Sequence, residues 1–331
     1  MQYRKFGNTG LTVSRLTLGT MTFGLQTEED VSRSIMDRAA DAGVNFIDTA
    51  NVYPLGSGHD LAGRTEEIVG RWLKGRRDNF ILATKAAHEM GPLAWHKGFS
   101  RKHLLDAIDA SLKRLDTDYV DLYQLHTDDH DTPLDEMLEA LDTIVRQGKA
   151  RYIGVSNFLA YRLARALGRS DVLRAARFVS VQPRYNLLFR QIERELLPLA
   201  TEENLAMIPY NPLAGGLLTG KHSFSAGPSE GRFTGAVGKA GATYTERYWH
   251  EREFHTIERI NEIVAPTGRS LASTALAWVL ANPAVTSAII GASRPDQLNE
   301  TLAAVDQPID PEVKAKLDEA TVEYRFGDAL R

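Results

Sequence analysis

Apolar and β-branched residues gather in eight short runs along the chain: RLTLGT, VNFIDTA, FILATK, VDLYQLH, ARYIGVSN, FVSVQPRYN, AMIPYNP and TSAIIGAS. Each has the length of a strand. The segments between them are longer and repeat apolar residues at helical spacing. EEDVSRSIMDRAADAG sets Val31, Ile35, Met36 and Ala39 on one face and stops at Gly43, a residue suited to a helix C-terminus. SRKHLLDAIDASLKRL opens on Ser100 and carries Leu104, Leu105, Ile108, Leu112 and Leu115. PLDEMLEALDTIVRQGK enters at Pro133, repeats Leu134, Met137, Leu138, Leu141 and Ile144, and ends at Gly148. LASTALAWVLANP and PDQLNETLAAV follow the same period. Strands alternating with helices predict a parallel sheet covered by helices.

Two such architectures compete. An open doubly wound sheet usually carries a Gly-rich phosphate fingerprint after its first strand. The chain has no G-x-G-x-x-G and no Walker A motif. Eight βα repeats in 331 residues favour an α/β fold of the (β/α)8 TIM-barrel type, which needs about 250 residues. The surplus falls in two places. Residues 221–250, KHSFSAGPSEGRFTGAVGKAGATYTERYWH, are expected to form a long mobile loop after strand seven. The C-terminal tail from about residue 305 carries one helix, PEVKAKLDEAT. No linker interrupts the chain, so residues 1–331 are expected to form a single domain.

Barrel enzymes build their sites from the carboxyl ends of the strands. Here strand one ends at Gly19, Thr20 and Met21, and strand two at Asp48, with Tyr53 in the loop beyond. Strands three and four end at Lys85 and His126, five at Ser156 and Asn157, and six at Gln182. Strand seven ends at Tyr210, and strand eight at Gly291, Ala292, Ser293 and Arg294. Taken singly, each has an ordinary role as a cap, a surface charge or a satisfied structural histidine. Polar ends on strands two to seven, all after apolar segments, point to one shared site.

Composition narrows the chemistry by exclusion. The chain has no cysteine, which removes disulfides, thiolate nucleophiles and Cys-ligated metals. Its net charge is −4 with both signs interspersed, so neither nucleic acid nor a membrane surface is an expected partner. The start, MQYRKFGNTGLTV, lacks the apolar core of a signal peptide, and the longest apolar runs fall short of a membrane span. A cytoplasmic enzyme or binding protein for a small molecule is expected; oligomerisation stays open.

The strand-end set suits proton delivery. A buried lysine and aspartate on one rim are expected to neutralise each other. A phenol titrates near 10 and is a poor acid–base group at neutral pH unless perturbed. A neighbouring ammonium should lower it. A histidine can hydrogen-bond a carbonyl oxygen or share the proton. Asn157 and Gln182 offer an amide edge and Tyr210 a flat ring face, which together describe a nicotinamide site, where the hydride chemistry belongs to the cofactor.

These segments resemble the aldo-keto reductases over nearly the whole chain. GLTVSRLTLGTMTFG resembles the first strand of that family, NFIDTANVY its most specific signature, ILATK and VDLYQLH the next two elements. The resemblance implies a catalytic tetrad of Asp48, Tyr53, Lys85 and His126. IGVSNF and QPRYNLL imply nicotinamide contacts at Ser156, Asn157 and Gln182. IPYNPLAGGLLTGK implies Tyr210 stacked on the nicotinamide, with Asn211, Pro212, Leu213, Gly216, Leu218 and Lys221 along the cofactor. IIGASRPDQLNET implies an adenosine-phosphate segment of Gly291, Ser293, Arg294, Gln297 and Glu300. Gly19, Thr20, Met21 and Asp48 border the same cofactor. The implied coenzyme is NADPH/NADP+, with NADH not excluded, and the implied substrate an aldehyde or ketone. The chain departs from the family pattern at Thr301 and Asn211, and in the loop after Tyr53, PLGSGHDLAGRTEEIVG. Its wording is nearest the bacterial branch similar to potassium-channel β subunits. Two other classes remain: a sensor that holds NADPH but turns over slowly, and a metal-dependent hydrolase using His126, Asp128, Asp129 and His130 of HTDDHD. No metal is expected in the leading reading. Trp95, Phe158 and Trp249 are candidate pocket residues.

Overall fold

The eight apolar runs become the eight parallel strands of a barrel in the computed structural model, which describes residues 1–228, 231–234 and 239–326. An antiparallel hairpin comes first, β1 (Tyr3–Lys5) with β2 (Thr12–Ser14). The barrel strands are β3 (Leu16–Gly19), β4 (Phe46–Asp48), β5 (Ile81–Ala86), β6 (Val120–Leu125), β7 (Ala150–Ser156), β8 (Phe178–Gln182), β9 (Ala206–Met207) and β10 (Ala288–Ile290). Their order is β10-β3-β4-β5-β6-β7-β8-β9. Thr286 N–H donates to the Met207 carbonyl and Ile289 N–H to that of Pro209, each at 2.8 Å. These bonds join the first and last strands and close the sheet.

Side chains alternate across a strand, and the inward set fills the barrel. At the amino end, Phe6 and Val13 of the hairpin pack onto Phe46, Ile81, Leu122, Ala206 and Ile208 as an apolar floor. The larger cluster lies between strands and helices. The hairpin therefore seals the end opposite the strand-end residues, a role the opening segment does not advertise.

The helices are α1 (Glu29–Asp41), α2 (Arg64–Leu73), α3 (Arg101–Leu115), α4 (Leu134–Arg146), α5 (Ala160–Leu173), α6 (Leu196–Glu202), α7 (Lys239–Tyr248), α8 (Glu251–Val264), α9 (Leu271–Leu280), α10 (Leu298–Ala303) and α11 (Pro311–Ala320). Five of these, α2 and α5–α8, are absent from the sequence expectation, and in α2 and α5 the reason is a contact with another element. The segment RTEEIVG, expected as loop, is the first part of α2. It contains Gly70, a poor helix residue. A Cβ at Gly70 would lie 2.7 Å from the Leu115 carbonyl carbon and oxygen, so the glycine lets α2 lie directly on the end of α3. In α5 the apolar stripe is broken by Arg162, which is buried because it binds Asp128. The long loop expected over 221–250 is corrected in part. It holds a turn at Gly231–Phe233 and the whole of α7. The phenol of Tyr248 accepts from Asn186 Nδ2 at 3.1 Å and Asn211 Nδ2 at 2.9 Å, which pins α7 to the barrel rim. Residues 229–230 and 235–238 of that stretch lie outside the described residues.

Candidate active site

The carboxyl ends of the strands bring the expected residues to one rim. Asp48 closes β4, Lys85 lies near the end of β5, His126 follows β6, Ser156 closes β7, Gln182 closes β8, and Tyr210 stands beyond β9. Tyr53 is carried back to them by a turn. Its N–H donates to the Ala50 carbonyl at 3.2 Å, and its own carbonyl accepts from the N–H of Gly63 at 3.1 Å and Thr65 at 3.4 Å. The start of α2 thus fixes where the phenol points.

The Asp48 carboxylate is the hub. Oδ2 accepts from Lys85 Nζ at 2.5 Å, while Oδ1 accepts from Gln182 Nε2 at 2.9 Å and Gln124 Nε2 at 3.1 Å. Lys85 Nζ also donates to the Thr49 carbonyl at 2.8 Å. Lys85 is 0% exposed and Asp48 3%. Charges this deep persist only when paired and hydrogen-bonded, and both conditions hold here. Burial nonetheless pulls Lys85 below its usual range, against the opposing pull of Asp48.

Tyr53 and His126 share the space above this pair. Lys85 Nζ lies 5.0 Å from the Tyr53 ring centroid. The Tyr53 hydroxyl is 3.5 Å from His126 Nε2, with the rings 5.5 Å apart at 78°. That is a loose hydrogen bond, as acid–base contacts often are without substrate. The phenol differs from expectation. Burial, then the Asp48 charge, hold it well above its usual range. Burial and the Asp48 charge outweigh the ammonium, which is itself paired with Asp48. His126 is held well below the usual histidine range by burial first, then by Lys85 and His88. The centre therefore presents a protonated phenol beside a neutral imidazole.

A pH dependence follows. His88, His103 and His126 are all held below 6.5, in each case chiefly by burial. As the pH falls below 6.5 the unfolded chain takes up protons at these positions before the folded one does. The unfolded state then binds more protons, so stability falls with falling pH in that window. The expected result is a urea midpoint that drops on acidification from about pH 7, with the His126 ring still neutral by nitrogen chemical shift at about pH 6. A His126 ring that titrates at or above 6.5 would contradict this.

The rim continues around the strand ends as a hydrogen-bonded file. Tyr210 Oη donates to Asn157 Oδ1 at 2.9 Å, Asn157 Nδ2 donates to Ser156 Oγ at 3.1 Å and to the His126 carbonyl at 2.9 Å, and Ser156 Oγ donates to the Gln182 carbonyl at 2.9 Å. Asn157 is exposed and Tyr210 half-buried, so an amide and a ring face the opening. Gln182 does not face it: its amide is turned down onto Asp48 and Gln124. Next comes left-handed backbone at Asn211, Ala214, Gly215 and Gly216. The N–H groups of Ala214, Gly215 and Gly216 bond within this turn, to the Asn211 carbonyl, Asn211 Oδ1 and the Leu213 carbonyl. The Asn211 side chain belongs to the protein rather than the rim, bonding Tyr248 and the Gly215 N–H. Pro212 and Leu218 are buried, while Leu213 and Gly216 are half-buried and Lys221 is exposed.

At β10 and β3 the backbone is bare. Gly291 is exposed, and a Cβ there would lie 3.2 Å from Arg232 Nη2. Gly19 has no room for a Cβ, which would sit 2.7 Å from Ile289 Cγ2. Thr20 is buried, bonding the Asp48 carbonyl, and Met21 is half-buried. Ser293 N–H donates to Gln297 Oε1 at 2.8 Å, Arg294 is exposed and 3.5 Å from Asp296, and Glu300 is exposed. Thr301 is buried, with its hydroxyl on the Leu298 carbonyl. The amide and ring of Asn157 and Tyr210, with Arg232 and Arg294 near β10, fit a nicotinamide dinucleotide.

Some candidates are placed elsewhere. Asp128 is held by Arg162, and Asp129 accepts from the Phe99 N–H and the Thr132 hydroxyl. Among the described residues no three His, Cys, Asp or Glu are grouped to hold a metal. Phe158 is core, between Phe99 and Phe178. Trp249 packs on His222, Phe233 and Phe254, and Trp95 is exposed. Three residues escape the sequence reading. Gln124 was findable: it stands two before His126 and so shares its inward face. His88 lies past a strand end. Arg232 comes from the stretch expected to be loop.

Comparison with known proteins gives the same picture. The chain is 40% identical over 329 residues to the uncharacterized oxidoreductase YrpG of Bacillus subtilis (strain 168), covering 96% of this chain and 95% of that protein. It is 38% identical over 311 residues to a probable voltage-gated potassium channel subunit beta of Arabidopsis thaliana, covering 92% of each. It is 35% identical over 312 residues to the L-glyceraldehyde 3-phosphate reductase of Escherichia coli (strain K12), covering 92% of this chain and 88% of that protein. No helix among the described residues is long and apolar enough to cross a membrane. With a barrel of eight parallel strands and a family match over residues 15–322, the chain belongs to the aldo/keto reductase family and is an oxidoreductase of that fold.

Proposed function

We propose that the chain reduces aldehyde and ketone carbonyls to alcohols with NADPH, and that Tyr53 is the proton donor. One observation carries this reading: the buried Asp48–Lys85 pair, the Tyr53 phenol and a neutral His126 meet at one point of the rim. Bound NADPH supplies the hydride. Tyr210 offers the face for its nicotinamide, and Ser156 and Asn157 the amide edge. Gln182 acts below them as a support for Asp48. Lys221 and Arg232 take the pyrophosphate, with Leu213 and Gly216 lining it. Arg294 grips the 2′-phosphate, for which its fork of donors is suited, with Gly291, Ser293, Gln297 and Glu300 around the adenosine.

The substrate oxygen binds between Tyr53 Oη and His126 Nε2. The neutral imidazole donates its Nε2 proton as a hydrogen bond and orients the carbonyl. Tyr53 keeps its proton in the resting site because burial disfavours the phenolate. It releases that proton to the oxygen as charge develops there. Lys85 then steadies the phenolate through its charge, while Asp48 keeps the ammonium in place. The chain's similarity to channel β subunits keeps a second reading in view, a nucleotide-holding sensor with slow turnover; the complete set of four around one point favours turnover.

The test is a panel of aldehydes and ketones followed at the nicotinamide absorbance, with NADPH and NADH in parallel. The panel includes L-glyceraldehyde 3-phosphate because a relative is named for it. Carbonyl-dependent oxidation, faster with NADPH, is expected. Tight NADPH binding with no oxidation across the panel would support the sensor instead.

A further inference from the structure

Three rings stand in file at the rim. Tyr53 and His126 are 5.5 Å apart, and His126 and His88 are 4.5 Å apart at 68°. Tyr53 flanks His126 on one side and His88 is a second edge-on neighbour. The position of His88 is set by its backbone. The His126 N–H donates to the Ala86 carbonyl at 2.9 Å, and the Gly98 N–H to the Ala87 carbonyl at 2.8 Å. Ala87 between them has a φ of 141°, a region that non-glycine residues rarely enter. The chain is thus held in an unfavoured turn as it leaves β5, and that turn delivers the imidazole beside His126.

The two histidines differ in access. Nδ1 of His126 is sealed from solvent without a partner. His88 is only half-buried, and neither of its ring nitrogens bonds a protein group among the described residues. Burial and Lys85 hold His88 below the usual histidine range, so the ring is neutral and offers one donor and one acceptor. The chemistry assigned to the tetrad makes no use of it.

Resting on the carbonyl-reductase reading above, we propose that His88 contacts the substrate and determines specificity, hydrogen-bonding a hydroxyl on the carbon next to the reacting carbonyl. With the carbonyl oxygen between Tyr53 Oη and His126 Nε2, we set a hydroxyl on the adjacent carbon against His88, whose ring centroid is 4.5 Å from that of His126. A 2-hydroxy carbonyl compound gains that bond, and the analogue without the hydroxyl leaves the imidazole unpaired. Because His88 is half-buried, water can replace the missing partner, so discrimination is modest, roughly five- to tenfold.

The test compares 2-hydroxypropanal (lactaldehyde) with propanal, each counted as free carbonyl, in the wild type, His88→Phe and His88→Gln. Phenylalanine keeps a ring against His126 but has no hydrogen-bonding nitrogen; glutamine keeps a donor and an acceptor. Thermal midpoint and NADPH binding are measured on each protein, and His88→Leu replaces the phenylalanine variant if that one does not fold. The ratio of kcat/KM for 2-hydroxypropanal over propanal is expected to fall roughly five- to tenfold in His88→Phe, mainly through KM for the hydroxyaldehyde, and to recover in His88→Gln. An unchanged ratio in His88→Phe overturns the role of His88 and leaves carbonyl reduction standing. A wild type that oxidises NADPH with neither aldehyde nor any member of the wider panel overturns the carbonyl-reductase reading, and this proposal with it.

Discussion

Replacing Tyr53 by Phe is expected to lower kcat/KM for carbonyl reduction by about 10²–10⁴-fold, the usual span for losing a general acid, while NADPH binding survives. The substitution removes one oxygen. Among the described residues that oxygen makes one hydrogen bond, a loose one to His126 Nε2 at 3.5 Å, so the fold loses little with it. The reaction loses its proton source. Among the described residues no other group there can give up the proton: neutral His126 only lends a hydrogen bond, and Lys85 bonds Asp48 and Thr49. The proposed coenzyme contacts at Asn157, Tyr210 and near Gly216 do not use the phenol oxygen, so the coenzyme dissociation constant should stay near the wild-type value. Both quantities come from the same protein, by steady-state kinetics and by fluorescence titration with NADPH. Near wild-type turnover in the variant would remove Tyr53 from the role assigned to it.

The second large effect concerns stability. Asp48→Asn keeps the shape of the hub and removes its charge, leaving the Lys85 ammonium fully buried with no counter-ion and two glutamine amides facing a poorer acceptor. Breaking a buried pair from one side costs about 3–5 kcal/mol, a large share of the stability of a single domain. The loss should depend on pH. In the variant, burial acts on Lys85 without the opposing pull of Asp48, so its folded pKa lies further below the unfolded value of 10.5. The unfolded chain then binds the extra proton across that window, and stability rises as the pH is raised toward 10.5. Urea unfolding at several pH values measures both effects. Adding Lys85→Met to Asp48→Asn should restore much of the loss, since no charge is then stranded. A single variant within about 1 kcal/mol of wild type would mean the pair is not the buried, fully bonded unit described.

Much of this centre could be read along the chain, because strand ends are local features. Asp48, Lys85, His126, Ser156 and Gln182 each end an apolar run, and one rim collects such positions in any closed parallel barrel. What each does there was less legible. Gln182 reads as an amide facing the opening, yet its amide points down to Asp48. Asn211 reads as a rim residue, yet it fastens the rim to α7 through Tyr248. An amide can face either way, and the choice depends on partners tens of residues distant. Helices with clean apolar stripes, such as α3 and α4, were legible as well. Those with a glycine at a close contact, as at Gly70 of α2, or with a buried arginine, as at Arg162 of α5, were not, because the partner that explains the residue lies on another element.

The sequence by itself determined the number of barrel strands, the barrel class and the strand-end residues that gather at the rim, since hydrophobic period and strand-end chemistry are carried by neighbours in the chain. Only the tertiary structure decided the electrostatics. The ammonium of Lys85 was expected to lower Tyr53, but burial and the Asp48 charge set the phenol high, and burial sets His126 low. Desolvation depends on everything packed around a group, and no short stretch of sequence contains that. The same holds for His88 and Arg232, which become rim residues only because the turns at Ala87 and at Gly231–Phe233 bring them to the strand ends.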